Sequence, residues 1–245
     1  MKITEKIKMD KAGLMKNGSI NIVVFGDSVS HGCFASGEPI DYDAVYHELL
    51  RRKILAVRNY VPVNVINSAI GGDNAYEALG RLESQVTVHK PDLVIVAFGL
   101  NDVNSPKERY VFALDKIFRE CTACGAEVIY LTPNMLNTYV AEDTADGIRD
   151  YAAKTARMQN DGTLDALIAA GIEKARELGV TVCDCYGIWR EMSKTRDTTM
   201  LLDNRINHPS RKMHELFADC LFRCIFEEGF TAEDLGDLSM FEEKK

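Results

Sequence analysis

The sequence predicts an α/β protein in which one five-stranded parallel sheet lies between two layers of helices. Five short segments rich in β-branched residues have the composition of buried strands, and segments of helical periodicity separate them. The strand segments lack a regular polar alternation, which is typical of strands covered on both faces. Because strands alternate with helices, right-handed crossovers and a parallel sheet are expected.

The predicted elements follow one another in a simple order. The strands comprise residues 20–25 (INIVVF), 61–66 (VPVNVI), 93–98 (LVIVAF), 126–131 (AEVIYL) and 179–183 (GVTVC). Apolar stripes at helical spacing run through Ala75, Leu79, Leu82 and Val86; through Leu164, Leu167, Ile168, Ile172 and Ala175; and through Met213, Phe217, Cys220 and Cys224. Gly125 and Gly179 each separate a helical pattern from a strand, so we expect both in the left-handed conformation that ends many helices.

The chain is predicted to contain a single domain. It shows no internal repeat, low-complexity segment or Gly/Ser/Pro-rich linker. We assign residues 1–18 to an amphipathic or loosely ordered lead-in, residues 19–230 to the domain and residues 231–245 to an acidic C-terminal tail. Residues 132–160 form a long excursion after the fourth strand, and loops at that end of a parallel sheet commonly shape a ligand site.

Composition and charge argue against several classes of function. The 245 residues carry a net charge of −8, whereas nucleic-acid binding needs clustered Lys and Arg. No apolar run approaches the ~20 residues that cross a bilayer, and the first residues lack the apolar core of a signal peptide. The seven cysteines show no disulfide-framework spacing. We therefore expect a cytoplasmic protein that binds neither nucleic acid nor membranes; the sequence leaves homo-oligomerisation open.

Polar residues collect just beyond the predicted strands, at the edge of the sheet where such folds bind ligands. They are Gly26, Asp27 and Ser28 after the first strand, Asn67, Gly71, Gly72 and Asp73 after the second, Gly99, Asn101 and Asp102 after the third, and Asp203, Asn207 and His208 before the last helix. Four separate segments thus bring a serine, a backbone glycine, an asparagine and a histidine to one rim.

These groups are the ones that acyl transfer requires. A serine hydroxyl becomes an effective nucleophile when an imidazole accepts its proton. The oxyanion of the tetrahedral intermediate needs hydrogen-bond donors, which a glycine N–H and an asparagine amide can supply. The pattern therefore predicts a serine hydrolase that needs no cofactor and no metal.

The same residues resemble a known family. FGDS, NSAIGGD, GLND and NHP are similar to the four signature blocks of the SGNH (GDSL-type) hydrolases, in the same order, over roughly residues 20–226. The resemblance implies a flavodoxin-like α/β/α sandwich and ester hydrolysis through an acyl-enzyme. It implies Ser28 as nucleophile, His208 as base, and an oxyanion hole formed by the N–H groups of Ser28 and Gly72 and the side chain of Asn101. Gly72 is chosen because the family's glycine stands five residues after the asparagine, here Asn67.

One position departs from the family pattern. The family usually places its triad aspartate three residues before the histidine, and that position is Arg205 here. Asp203 stands five residues before His208, and an extended or bulged turn could bring its carboxylate to Nδ1. We assign Asp203 as the triad acid; the alternative is a Ser–His dyad whose histidine is oriented by a backbone carbonyl.

The same residues also have structural interpretations. Ser28 could serve only as a helix N-cap, Asp27 is expected to brace the turn, and Asp102 is expected to be structural. His31 is expected to be exposed to solvent. Cys121-x-x-Cys124 with Cys183-x-Cys185 could be read as a four-thiolate zinc site, but free buried thiols are common core residues, and we predict no metal.

The predicted function is hydrolysis of short-chain esters, with acetyl groups on a carbohydrate or another polar alcohol as the first choice. A lipase or thioesterase that takes longer acyl chains is one alternative. A non-catalytic carbohydrate binder on the same scaffold is another, favoured only by the missing aspartate at position 205. A flavin-binding protein is disfavoured because the first loop lacks a run of phosphate-binding Ser, Thr and Gly residues.

Overall fold

A computed structural model describes residues 2–227. The end of the predicted domain, residues 228–230, and the predicted tail, residues 231–245, lie outside the described residues. The strands are β1 Ile20–Gly26, β2 Val63–Asn67, β3 Leu93–Ala97, β4 Glu127–Leu131 and β5 Thr181–Cys183. The helices are α1 Lys2–Lys6, α2 Lys11–Asn17, α3 Ser28–His31, α4 Tyr46–Val57, α5 Ala75–Ala78, α6 Leu82–Gln85, α7 Lys107–Ala123, α8 Arg149–Asn160, α9 Thr163–Glu177, α10 Cys185–Met192 and α11 Arg211–Phe226.

The five strands form one parallel sheet in the order β2-β1-β3-β4-β5. This is the flavodoxin-like order, and it confirms the predicted five-stranded parallel sheet. The order reverses at β1, because the chain leaves β1 toward β2 on one side and returns to β3 on the other. The carboxyl end of β1 is therefore the topological switch point, where such folds bind their ligands.

Helices cover both faces of the sheet. On one face α4 packs against α11; on the other, α7 packs against α5 and α9. Six of the seven residues of β1 and four of the five of β3 are buried, which explains why their sequences lack polar alternation. The result is the predicted three-layer α/β/α architecture. Within residues 2–227, none of the helices has the length and apolar character needed to cross a membrane.

Some elements differ from the expectation. The stripe from Ala75 to Val86 is not one helix, because α5 and α6 are separated by a 3-10 turn that contains Gly80, a poor helix former. The segment predicted as a lead-in forms α1 and α2, and Ile3 and Ile7 are buried in the common core. Gly125 and Gly179 have φ of 91° and 67°, as predicted for residues that end helices.

Candidate active site

The end of β1 presents Ser28 at the start of a short helix. A Cβ on Gly26 would lie 2.7 Å from the carbonyl oxygen of Ala97, so only glycine allows this close approach between β1 and β3. Asp27 is the N-cap of α3, and its Oδ1 accepts the N–H of Val29 at 3.0 Å. The cap is therefore Asp27, as the bracing role predicted, and Ser28 is the first helical residue, whose own N–H is a donor that a helix leaves unpaired.

His208 approaches Ser28 from the other end of the chain. Its Nε2 lies 3.0 Å from Ser28 Oγ, and its Nδ1 lies 2.8 Å from the backbone carbonyl oxygen of Phe34. A carbonyl oxygen can only accept, so Nδ1 carries the proton and Nε2 is left to accept the Ser28 hydroxyl proton. Burial lowers the pKa of His208, although the bond to Phe34 partly offsets this effect. The lowered pKa favours the neutral imidazole, and the bond to Phe34 selects the tautomer in which Nε2 can accept a proton.

A compact turn carries His208. Leu202 and Pro209 form an isolated antiparallel bridge, and the N–H of Asp203 donates to the carbonyl of His208 at 2.8 Å. Within the turn, Oδ1 of Asn204 accepts the N–H groups of residues 206, 207 and 208 at 2.9–3.0 Å. Arg205 adopts φ of 59°, a left-handed conformation that lets the chain reverse. The turn is thus held by local hydrogen bonds on its inner side.

The excursion after β4 supports this turn from outside. Asn134 and Asn137 are both fully buried. The side-chain amide of Asn134 donates to the carbonyl of Asn207 at 2.9 Å, and the N–H of Asn137 donates to the carbonyl of Ile206 at the same distance. Residues 132–160 therefore brace the turn that places His208.

Asp203 has a different partner from the one assigned to it. Its carboxylate lies 3.7 Å from the guanidinium of Arg211, while the Nδ1 of His208 is bonded to the Phe34 carbonyl. The pKa of Asp203 is raised, mainly by burial. The charge of Glu38 adds to this effect, and the charge of Arg211 opposes it. The geometry joins Ser28 to His208 but does not join Asp203 to His208 Nδ1. The Arg205 side chain, at the position where the family has its acid, pairs instead with Asp143 at 2.9 Å.

The glycine turn lies against Ser28 and is bonded to Asn101. Asp73 N–H donates to the carbonyl of Ile70 at 3.2 Å and closes a turn in which Gly72 has φ of 82°. A Cβ on Gly71 would lie 3.8 Å from the Cβ of Ser28, so the turn lies against the serine. The Asn101 amide donates to the carbonyl of Asp73 at 2.8 Å, which ties the loop after β3 to the loop after β2. An amide has a second hydrogen, which this bond leaves available.

His31 was not assigned to the site by the sequence. It is half-buried rather than exposed as expected, and its Nδ1 accepts the N–H of Gly71 at 3.2 Å. Its Nε2 lies 3.4 Å from the hydroxyl of Tyr42. A histidine three residues after the serine lies one helical turn away, and that spacing is the signal that could have identified it.

Two buried carboxyl groups lie beneath the site. Burial raises the pKa of Asp27 to about 7, and the charges of Asp102 and Asp73 add to the effect. Burial likewise raises the pKa of Asp102 to about 7. One oxygen of Asp102 accepts the N–H of Ala75 at 3.0 Å, and the other has no partner among the described residues. This contact agrees with the structural role expected for Asp102.

The cysteines do not form the four-residue set that spacing suggested. Cys121 and Cys124 lie at the end of α7, whereas Cys183 and Cys185 are neighbours, with their Sγ atoms 4.0 Å apart, at the end of β5. All seven cysteines are free. Within residues 2–227, no group of three or more His, Cys, Asp and Glu side chains is arranged to hold a metal ion.

Comparisons with known proteins agree with the fold and the motifs. The profile of the GDSL-like Lipase/Acylhydrolase family matches residues 24–216. No curated protein matches the chain in sequence.

Several solved structures share the architecture. Axe2, an acetylxylan esterase from Geobacillus stearothermophilus, is 21% identical with a TM-score of 0.62, covering 87% of this chain and 95% of that one. A lipase/acylhydrolase from Enterococcus faecalis is 26% identical with a TM-score of 0.64, covering 84% and 95%. LAE5, an alpha/beta hydrolase enzyme from the metagenome of Lake Arreo, Spain, is 19% identical with a TM-score of 0.64, covering 84% and 94%.

Proposed function

Because the chain belongs to the GDSL-like lipase/acylhydrolase family, and is therefore a carboxylic ester hydrolase, we propose that it cleaves short-chain esters through an acyl-enzyme on Ser28. The observation that carries the proposal is the contact of Ser28 Oγ with His208 Nε2 at 3.0 Å, with the opposite ring nitrogen bonded to a carbonyl. This arrangement leaves the imidazole one role toward the hydroxyl, that of proton acceptor.

The first half of the reaction forms the acyl-enzyme. Ser28 Oγ attacks the ester carbonyl carbon while His208 Nε2 takes the hydroxyl proton. The Phe34 carbonyl accepts from Nδ1–H throughout, so it orients the ring and stabilises the imidazolium that forms. When the tetrahedral intermediate collapses, the C–O bond to the alcohol breaks and Nε2–H gives its proton to the leaving alkoxide. In the second half, water attacks the acyl group in the same way and releases the acid, and Ser28 regains its proton.

The oxyanion hole is assigned to three donors. Ser28 N–H is a free helix-terminal donor, Gly72 N–H lies in the turn packed against the serine, and Asn101 has an amide hydrogen not used by Asp73. Such donors act because they are oriented before the oxyanion develops. The bond from Asn101 to the Asp73 carbonyl and the left-handed Gly72 support this role, since both fix the loop that presents the donors.

Asp203 is left out of the catalytic machinery in this proposal. The Nδ1 proton that a triad acid would accept is engaged by Phe34, which supports a Ser–His dyad, the alternative that the sequence left open. A backbone carbonyl is uncharged, so it orients the ring as a carboxylate does but stabilises the imidazolium less. We therefore propose that this enzyme works with a weaker base than a triad enzyme has.

The proposed substrate is an acetyl or similarly short ester of a carbohydrate or another polar alcohol. The resemblance to Axe2, whose name describes action on acetylxylan, supports the acetyl group and the sugar. The similarity to a lipase/acylhydrolase keeps longer acyl chains as the alternative. The proposal includes a small-molecule ester as the partner and no cofactor. It also includes a cytoplasmic location, which the free cysteines support.

The test of this function is hydrolysis of p-nitrophenyl acetate by the wild type and by Ser28→Ala. We expect the variant to lose activity by at least about 1,000-fold, because the nucleophile is removed. Ser84→Ala, an exposed serine on α6, is the matched control and should retain full activity. A fluorophosphonate probe should label Ser28 in the wild type and in the control. Equal activity of the wild type and Ser28→Ala would refute the proposal, and a wild type inert to both reagents would favour the non-catalytic binder.

A series of acyl lengths distinguishes the substrate alternatives. Acetyl, butyryl and octanoyl p-nitrophenyl esters should be cleaved with decreasing kcat/KM, and acetylated xylo-oligosaccharides should release acetate. An enzyme that prefers octanoyl esters would support the lipase or thioesterase alternative and refute the short-chain assignment.

A further inference from the structure

Arg211 lies at the centre of a set of contacts behind the catalytic histidine. It is the first residue of α11, three positions after His208. Its Nε bonds to Asp41 Oδ2 at 2.9 Å, and one Nη bonds to Glu38 Oε2 at 3.2 Å. Its other Nη lies 3.7 Å from the carboxylate of Asp203. One guanidinium thus links two acids of the segment between α3 and α4 with the acid of the histidine turn.

The same guanidinium covers the ring of Phe34. The central guanidinium carbon lies 4.4 Å from the ring centroid, within the range of a cation–π contact. Phe34 is buried, and its ring also packs on the ring of His214 at a centroid distance of 4.7 Å. The residue whose carbonyl bonds to His208 is therefore held by side-chain contacts with both Arg211 and the buried His214.

Helix stability does not explain an arginine at this position. A cation at a helix N-terminus is unfavourable, because the helix dipole places partial positive charge there. The first turn of α11 contains no acid that would compensate. The compensation comes from Asp41 and Glu38, which belong to another segment of the chain. The placement favours a role in joining that segment to α11 rather than a role within the helix.

The segment in question, residues 32–45, has no helix or strand. It is closed at its base by a bond from Asp41 N–H to the carbonyl of Gly32 at 2.9 Å. Phe34 and Asp41 belong to the same closed segment, so contacts that hold Asp41 in place also restrain Phe34. The direction of the Phe34 carbonyl therefore depends on contacts that lie outside the segment.

We propose that Arg211 is a positioning residue that holds residues 32–45 against α11 so that the Phe34 carbonyl stays on His208 Nδ1. It touches neither the serine nor the imidazole; it acts through Phe34. In this proposal, Asp203 serves as a counter-charge to Arg211. The inference rests on the proposed function, because it concerns the orientation of the base in that reaction.

The first test is the kinetics of Arg211→Gln with p-nitrophenyl acetate. We expect kcat to fall by about 10- to 100-fold with little change in KM, because a base displaced by a fraction of an ångström transfers the proton poorly without altering the binding of a small ester. Arg119→Gln is the matched control, an exposed arginine on α7 that pairs only with Asp115 among the described acids. It should keep the wild-type kcat. A kcat of Arg211→Gln equal to that of the control would overturn the proposal.

Arg211→Lys separates charge from geometry. Lysine keeps the positive charge, but it lacks the planar fork that bonds two carboxylates and covers a ring. We expect its kcat to lie between those of the wild type and Arg211→Gln. Full activity in Arg211→Lys would show that charge alone suffices and would overturn the positioning role.

Glu38→Gln provides a second route should Arg211→Gln not fold. Glu38 is exposed, and its side chain forms a hydrogen bond and an ion pair with Arg211, so the substitution leaves the core intact. We expect a loss of kcat of about 2- to 5-fold, in the range of an exposed ion pair. In the Arg211→Gln background, where that variant folds, the same substitution should have no further effect, since the two residues act through one contact. A Glu38→Gln enzyme with unchanged kcat would contradict the proposal.

A spectroscopic measurement reports directly on the bond. The Nδ1–H of His208 should give a downfield proton resonance in wild-type enzyme that disappears in His208→Gln. In Arg211→Gln this resonance should shift or broaden while the thermal midpoint stays close to that of Arg119→Gln. An unchanged resonance would overturn the inference. Loss of activity in Ser28→Ala, measured alongside, shows that the proposed function holds, so failure of the inference and failure of the function give different results.

Discussion

The Nδ1 atom of His208 lies 2.8 Å from the backbone carbonyl oxygen of Phe34, 174 residues earlier in the chain. This contact occupies the place where the acid of a triad would bond. It explains how a histidine can be oriented in a chain that has arginine at the position where the family usually has aspartate. The consequences for catalysis and stability can be measured.

Asp203→Asn should have only a modest effect on turnover. Replacing the acid of a triad by its amide costs about 10,000-fold in rate, because the base loses its tautomer and its charge partner. Here the partner of Asp203 is Arg211 at 3.7 Å, so we expect kcat to fall by less than about 5-fold. Asp143→Asn, which removes the partner of Arg205 on the same turn, is the control. A loss approaching the triad value would restore Asp203 as the catalytic acid.

The acidic limb of the pH profile of kcat/KM should have its midpoint at a low pH. His208 must be neutral to accept a proton, so activity rises as the pH rises through its pKa. Burial lowers that pKa, and no carboxylate bonds to Nδ1 to raise it. We expect the midpoint of the limb below the ordinary histidine value of about 6.5. The limb should persist in Asp27→Asn, which removes the neighbouring buried acid. A midpoint clearly above 7 would contradict this account.

Asn101→Ala should impair the chemical step. Removing one oxyanion donor typically costs about 100- to 1,000-fold in kcat. The substitution also removes the bond to the Asp73 carbonyl that steadies the glycine turn, so both effects act in the same direction. Asn17→Ala is the matched control, because Asn17 is an exposed asparagine at the end of α2 whose amide bonds to the carbonyl of Gly13 in its own helix. The measurement is kcat from steady-state kinetics. Equal kcat in the two variants would contradict the assignment of Asn101 to the oxyanion hole.

The buried acids should make the protein less stable as the pH rises. The pKa of Asp27 and of Asp102 is raised from 3.8 to about 7 in the folded chain. Above about pH 4 the unfolded chain has lost these protons while the folded chain keeps them. The unfolding free energy therefore falls as the pH rises, until the pH passes the pKa of the folded state. We expect each of the two groups to lower the unfolding free energy by on the order of 2 kcal/mol between about pH 5 and about pH 8.

Asp27→Asn tests the origin of that pH dependence. Asparagine keeps the helix cap but carries no charge, so urea unfolding of this variant should vary less with pH than the wild type. Asp43→Asn, an exposed acid, should leave the slope unchanged. A wild-type stability that rises over the same pH range would show that these carboxyl groups are ionised in the fold.

Much of the fold could be predicted because the relevant signals are local. Each strand is a short β-branched run, each crossover contains a helix, and parallel strands place their carboxyl ends at one edge. The three-layer sandwich follows, and so does the meeting of Ser28 with His208 at that edge. The break between α5 and α6 was missed, because an apolar stripe records only which face is buried and not whether the helix is continuous.

The amino-acid sequence by itself determined the sheet, the serine at its edge and the histidine that faces it. The tertiary structure alone decided what stands behind that histidine. Every residue has a carbonyl, so no residue type marks the one at Phe34, and its direction depends on how residues 32–45 pack against α11. The partners of Asp203 and Arg211 likewise depend on side chains from distant segments. Residue type limits which groups can act as acid or base, and packing selects the atom that each one meets.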